Sequence, residues 1–336
     1  MFEPARIHHT ALKSWQEETA NLLIEPEELI RALNLPESLL APIKAAHALF
    51  PLRIPRPFLA RMAQGDISDP LLRQVMPLGI EQESTEGFVN DPLGEADSNP
   101  LPGIIHKYFG RVLLIAASQC AVNCRYCFRR HFDYQQNTPS QEDWLQAIGY
   151  ISHHQNIEEA ILSGGDPLAA SDKKVEWLFE QLGQIPHLTR IRLHTRLPIV
   201  IPSRITDKLV NIFSASNKDV VMVIHCNHPQ EIDVHVQRML VQLKNAGVTL
   251  LNQSVLLKSV NDNSKTLADL SKRLFSCGVL PYYLHLLDRV SGTAHFEVPE
   301  THAKALYREL LNQLPGYLVP RLVREEAGAG SKTPVV

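Results

Sequence analysis

The sequence predicts an α/β fold, a partial barrel of six β/α units preceded by a helical layer. Two observations carry this expectation. From Arg111 onward, short β-branched or apolar runs alternate six times with longer stretches of helical period. Before that point the first hundred residues show helical patterning alone and end in a Gly/Pro/Asp-rich stretch over 88–103. The division therefore falls into an N-terminal helical region with its connector, 1–105, and a β/α barrel with a C-terminal lysine segment, 106–336.

In chain order, the N-terminal helices are expected over 15–23, 27–33 and 37–49. The strands are read from VLLIAA (112–117), EAILS (159–163), RIRLHT (190–195), DVVMVIH (219–225), TLLNQSV (249–255) and YYLHLL (282–287). The helices between and after them cover roughly 141–154, 173–182, 203–213, 231–245, 263–275 and 301–314. Crossovers of this length imply parallel strands, and in parallel sheets chemistry gathers at the carboxyl ends. Six units suit a partly open barrel; pattern alone leaves an open doubly wound sheet as the alternative.

Composition narrows the function classes. A chain of 336 residues, 44% hydrophobic and 21% charged, can bury a sizeable core and is neither disordered, collagen-like nor coiled coil. A net charge of −3 gives no basic field for a phosphate backbone, so no nucleic-acid partner is expected. The start lacks a basic region followed by an apolar stretch, and no apolar run approaches membrane length, so neither export nor a membrane is expected. Three of the five cysteines sit within eight positions, which points to metal or redox chemistry in a reducing compartment, the cytoplasm.

Those three, Cys120, Cys124 and Cys127, form a C-x3-C-x2-C loop directly after the first strand. Three thiolates this close can ligate three irons of a four-iron cluster, and a missing fourth cysteine leaves one iron open to an exogenous ligand. The alternatives are a structural zinc site completed by His131, or three unconnected cysteines. Cys226 and Cys277 read as buried small hydrophobes. After the second strand comes Ser163-Gly164-Gly165-Asp166-Pro167, whose glycines let backbone approach a ligand and whose aspartate supplies an acceptor, or which is simply a turn.

With Tyr126 just before the third cysteine, this loop resembles that of the radical S-adenosylmethionine (SAM) superfamily. The resemblance implies a [4Fe-4S] cluster on Cys120, Cys124 and Cys127, with the open iron chelating S-adenosyl-L-methionine. It also implies that Gly164, Gly165 and Asp166 meet the amino group of that ligand.

The chain closes with a lysine on a glycine-rich tail, Gly328 to Pro334, which is not a P-loop and by itself reads as a frayed end. From about 106 to 335, however, HKYFGRVLL, CAVNCRYCFRRH, LSGGDPL, RLPIVIPSRIT, HCNHPQEI, LLNQSVLL, NDN, PYYLHLLD and SKTPV resemble, in order, the lysine 2,3-aminomutase family. The likeness is to its short bacterial members, which make β-lysine for modifying elongation factor P. It implies pyridoxal 5'-phosphate held by Lys332, with Tyr108 and Arg111 near that cofactor. It implies further that Arg129 pairs with the carboxylate of L-lysine while Asp288 and Glu325 receive its side-chain ammonium. An electron donor such as flavodoxin or ferredoxin, and an elongation factor P lysylation enzyme using the product, are the implied partners.

The match has departures. The long clostridial members carry aspartate where this chain has Glu325 and arginine where it has Lys107, and Asn263 stands at their zinc position. The chain stops soon after Lys332, without their cysteine-bearing extension, so no zinc is expected. His225, Cys226 and His228 look metal-like, yet histidines satisfied by hydrogen bonds at a barrel mouth are the favoured reading. In the family this segment lies near both organic cofactors, which suits His225 and, by the same reading, Gln253 as hydrogen-bonding residues. His8, His9, His153 and His154 read as solvated surface. The competing functions are an aminomutase for glutamate or arginine, or a non-catalytic iron-sulfur or zinc interaction module.

Overall fold

A computed structural model describes residues 14–94, 99–132 and 139–336; His8 and His9 lie outside the described residues. The core element is a nine-stranded sheet in sequential order, comprising β1 (Ile104–Tyr108), β2 (Arg111–Ala117), β3 (Glu159–Gly164), β4 (Arg190–Thr195), β5 (Asp219–His225), β6 (Thr249–Val255), β7 (Leu280–His285), β8 (Arg321–Arg324) and β9 (Thr333–Pro334). Strands β2 to β8 run parallel, with β1 antiparallel to β2 and β9 antiparallel to β8. A doubly wound sheet would reverse its strand order partway. The unbroken order means instead a curved sheet, a barrel left open between β1 and β9.

Five of the six expected strands stand within one residue of the reading. The sixth begins two residues earlier, at Leu280, because a register shift at Asn252/Gln253 accommodates Pro281, which has no N–H to donate. Strands β1, β8 and β9 were not read, being short or outside the β/α rhythm.

The helices of the N-terminal layer are α1 (Trp15–Ala20), α2 (Pro26–Ala32), α3 (Leu40–Leu49), α4 (Arg56–Leu59) and α5 (Pro70–Arg73). The expected helix over 15–23 ends early because Leu23 exchanges both backbone hydrogen bonds with Ile54, at 2.8 and 3.0 Å. Against the sheet lie α6 (Gln141–His153), α7 (Asp172–Gly183), α8 (Leu197–Val200), α9 (Asp207–Ser214), α10 (Val234–Asn245), α11 (Ser264–Ser276) and α12 (Glu300–Gln313). Side-chain caps set most starts: Ser140, Ser171, Thr206, Asp233 and Asn263 each accept a first-turn N–H. Asp233 and Thr206 start α10 and α9 later than the periodicity alone suggests.

One apolar cluster runs from Trp15, Leu29 and Phe58 through Leu114, Leu162 and Leu193 to Leu243 and Val279, so the N-terminal layer and the barrel share a core. The expected division between 105 and 106 falls inside β1.

Candidate active site

The cysteine loop follows β2 and is gripped from two sides. On one side is the N-terminal layer: Asn123 N–H donates to the Arg53 carbonyl (3.2 Å), Asn123 Nδ2 to Pro51 (2.9 Å) and Arg125 N–H to Gln74 (2.9 Å). Arg125, inside the cysteine motif, turns away from the barrel to pair with Glu81 and to donate to the Phe50 carbonyl at 2.6 Å. Arg130 reaches the same Glu81 carboxylate at 2.8 Å. This buried carboxylate and its two guanidiniums give the N-terminal layer a purpose that patterning did not reveal.

On the other side is the end of β3. Gly165 N–H donates to Ala117 (2.8 Å) and Asp166 N–H to Gln119 (2.9 Å), the residue before Cys120. A Cβ at Gly165 would stand 2.5 Å from the Gln119 carbonyl oxygen, and one at Gly164, which has φ +114°, equally close to that of Ala117. The glycines thus admit the cysteine loop, where the sequence suggested only approach to a ligand. Asp166 is likewise engaged. Its Oδ1 accepts from Leu168 N–H (3.0 Å) and Thr195 Oγ1 (2.6 Å), its Oδ2 from Arg196 N–H (2.7 Å) and Leu197 N–H (3.0 Å). Four donors use the acceptor capacity of a carboxylate, so this side chain holds the loop's surroundings together.

At the far end of the chain, Thr333 and Pro334 pair with Arg324 and Val323, and Val335 N–H donates to Leu322 (3.0 Å). The tail is therefore a strand edge, not a frayed end, and it places Lys332 Nζ 2.5 Å from Glu325 Oε2. Glu325 Oε1 accepts from the Tyr108 hydroxyl at 3.0 Å, and the Arg111 guanidinium stacks 4.5 Å above the Tyr108 ring. Burial opposes charge on Glu325, but Lys332, with help from Lys107 and Tyr108, holds its carboxyl below the ordinary range. Burial and the facing Glu325 push the Tyr108 phenol up.

A cavity of about 490 Å³ joins the two ends. Cys120, Cys124 and Cys127 line it, as do Gly164, Gly165 and Asp166. So do Tyr108, Arg111, Glu325 and Lys332, and also Arg129, Asp288, His225 and Gln253. The structure thus brings the residues expected to hold the cluster, the two organic cofactors and the substrate to the wall of one chamber. Arg129, buried, donates to the Gly164 carbonyl at 3.1 Å.

The metal-like trio separates. His225 faces the cavity with Nε2 2.9 Å from the Tyr126 hydroxyl, Cys226 is buried, and His228 Nδ1 accepts from Gln230 N–H at 3.2 Å. Cys277 is buried as expected. Asn263 spends its side chain capping α11. His154, expected at the surface with His153, is half-buried and stacks on Tyr150 at 3.9 Å.

Two cavity histidines were missed, His194 on β4 and His285 on β7. Burial pushes both well down, as the nearby Arg192 does for His194 and Lys332 for both, and the Nε2 atom of each is buried without a hydrogen-bond partner among the described residues. Burial, with Arg196, likewise pushes His225 down to about 3. Such neutral imidazoles with unmet polar atoms are what a polar ligand would satisfy. A signal existed: Arg190, Arg192 and His194 alternate along β4, where a parallel strand covered on both faces would be apolar throughout.

The donor set fits the implied groups. Three thiols on one loop open into the chamber. The primary amine of Lys332 lines the same chamber as Lys107, Arg111 and Arg192, cations suited to a phosphate.

Comparison with known proteins gives the same direction. The Radical SAM superfamily matches residues 114–270. The L-lysine 2,3-aminomutase of Escherichia coli is 50% identical over 325 residues, covering 96% of this chain and 94% of the relative. That of Haemophilus influenzae is 48% identical, covering 96% and 95%, and that of Buchnera aphidicola 46% identical, covering 95% and 94%. On identities and coverage of this extent, the chain belongs to the L-lysine 2,3-aminomutase family of the radical SAM superfamily.

Proposed function

We propose that this chain is an isomerase that moves the α-amino group of L-lysine to the β-carbon, using a [4Fe-4S] cluster, S-adenosyl-L-methionine and pyridoxal 5'-phosphate. The observation that carries the reading is the single chamber shared by the cysteine loop at one end and Lys332 at the other. Together the cofactors supply a carbon radical able to abstract hydrogen and a conjugated ring system able to delocalise the resulting unpaired electron. The protein's part is to bind, orient and exclude water.

Cys120, Cys124 and Cys127 would hold the cluster, and the Gly164–Asp166 segment would meet the amino group of S-adenosylmethionine beside it. His225, its Nε2 facing Tyr126, lines the chamber, and Gln253 stands opposite it in the sheet register. Lys332 would hold the pyridoxal aldehyde covalently, with Tyr108 and Arg111 against the cofactor. For substrate, Arg129 would pair with the carboxylate, and Asp288 and Glu325 with the ε-ammonium. The 2.5 Å contact between Lys332 and Glu325 supports this last role, because it is already an ammonium-carboxylate pair in that spot. Removing the charge on Lys332 leaves Glu325 open to a second ammonium.

The finer proposals are that the product is (R)-β-lysine, that it serves elongation factor P lysylation, that flavodoxin or ferredoxin delivers the electron, and that the protein acts in the cytoplasm. No helix among the described residues is long and apolar enough to cross a membrane. The test is anaerobic incubation of the iron-loaded protein with lysine, S-adenosylmethionine and a reductant, followed by chiral product analysis. (R)-β-lysine is expected. Turnover of glutamate or arginine as fast as lysine would reassign the substrate, and tightly bound zinc without iron would end the radical reading. Borohydride reduction and peptide mapping should place the pyridoxyl label on Lys332; a label elsewhere would reject that lysine.

A further inference from the structure

We infer that Arg196 is a positioning residue of the iron-sulfur centre, whose buried guanidinium, hydrogen-bonded to Cys124 Sγ, makes the cluster easier to reduce. The inference rests on the cluster assignment just proposed and adds to it a residue from a different strand end.

Arg196 follows β4 and is 6% exposed. Its backbone N–H is pinned to Asp166 Oδ2, the carboxylate beneath the glycine clamp. Its side chain is held at both terminal nitrogens. Nη1 donates to Cys124 Sγ at 2.8 Å and to the Tyr126 hydroxyl oxygen, while Nη2 donates to Gln74 Oε1 at 2.8 Å and faces Glu231 Oε2 at 3.3 Å. Glu231 is fully buried, and its Oε1 is fixed by Asn227 N–H (2.9 Å), His228 N–H (3.0 Å) and Gln74 Nε2 (3.1 Å). Phe58 and Tyr126 flank the guanidinium, with ring centroids 5.4 and 5.7 Å away. The cation therefore has one position, against a cluster ligand, and a structural pin between layers would not need the sulfur contact.

A cluster held by three thiolates is anionic. One electron from a one-electron reductant takes its core from the 2+ to the 1+ state, with no bond formed or broken, and adds one negative charge. A fixed cation hydrogen-bonded to a ligand sulfur stabilises the reduced state more than the oxidised one, and burial weakens screening of that effect. Glu231 acts with the opposite sign. The pair sets the potential between them, with Arg196 nearer the sulfur.

The experiment is a mediated redox titration of the anaerobically reconstituted full chain, followed by EPR without S-adenosylmethionine or lysine, after iron counting. Arg196→Gln should lower the potential by at least a tenfold change in the reduction equilibrium, about 59 mV for one electron. Arg196→Lys, which keeps the charge but not the fork that reaches both sulfur and Gln74, should fall between parent and Arg196→Gln. Glu231→Gln should move the potential upward. Four irons at the parent potential in Arg196→Gln, or shifts of equal sign in Arg196→Gln and Glu231→Gln, would overturn the inference. Should Arg196→Gln hold no iron, the same signs are read from Arg196→Lys and Glu231→Gln, and a parent value in either overturns it. A parent protein without iron would instead sink the cluster assignment, a failure that the iron count separates.

Discussion

Lys332, Glu325 and Tyr108 form a short chain of hydrogen bonds in which each member alters the next. Because Glu325 ionises below its ordinary value of 4.5, its contribution to stability is fully present above that value and is lost as pH falls through the lower, folded one. Glu325→Gln should therefore flatten the acid limb of a pH-stability curve below about pH 4.5, measured by thermal unfolding. Removing one partner of a buried charged pair costs about 3 to 5 kcal/mol, a hundred-fold to several thousand-fold in affinity. Asp288→Asn should weaken lysine turnover on that scale while leaving the iron content and pyridoxal absorbance unchanged. Full lysine activity in this variant would remove Asp288 from the substrate site.

At the scale of elements, the informative contact is the end of β3 against the cysteine loop. The Cβ of a Gly165→Ala side chain would meet three backbone atoms of Gln119 within 2.8 Å, and backbone cannot yield as a flexible side chain can. We expect a loss of about 1 to 3 kcal/mol in urea unfolding, with reduced iron loading. Gly149, inside α6, has open space where a Cβ would stand. Gly149→Ala should stabilise by roughly 0.5 to 1 kcal/mol through helix propensity, with iron content unchanged. Equal effects of the two substitutions would show that the clamp does not matter.

At the scale of the molecule, Glu81 couples the N-terminal layer to the cysteine loop through Arg125 and Arg130, all three side chains being at most 2% exposed. Glu81→Ala would strand two buried guanidiniums. A destabilisation of about 3 to 5 kcal/mol is expected, together with loss of iron on gel filtration. Retained iron at parent stability would mean that the layer is dispensable to the loop. Such coupling was not legible beforehand, since a buried glutamate 44 positions before its arginine looks like any surface acid in sequence. The β/α rhythm was legible, because strand and helix periods are local properties of the chain. The three extra strands were not: β1 and β9 pair antiparallel with neighbours, and β9 is only two residues long.

By itself the sequence determined the alternation of strands and helices, the three-cysteine loop, the glycines after the second strand and, through motif order, a set of the polar residues that line the chamber. These are matters of local period and residue type. Tertiary structure alone decided that Lys332 sits on a strand edge facing Glu325, that the glycines yield space to the cysteine loop, and that Arg196 rests on Cys124. It also decided that His194 and His285 turn unmet nitrogens into the buried wall of the same cavity. The curvature of the open barrel adds contacts between distant parts of the chain, such as that of Tyr108 with Glu325, 217 positions apart and hydrogen-bonded at 3.0 Å. Sequence spacing carries no record of that closure, because through-space contact is set by how the sheet coils and not by any single strand within it.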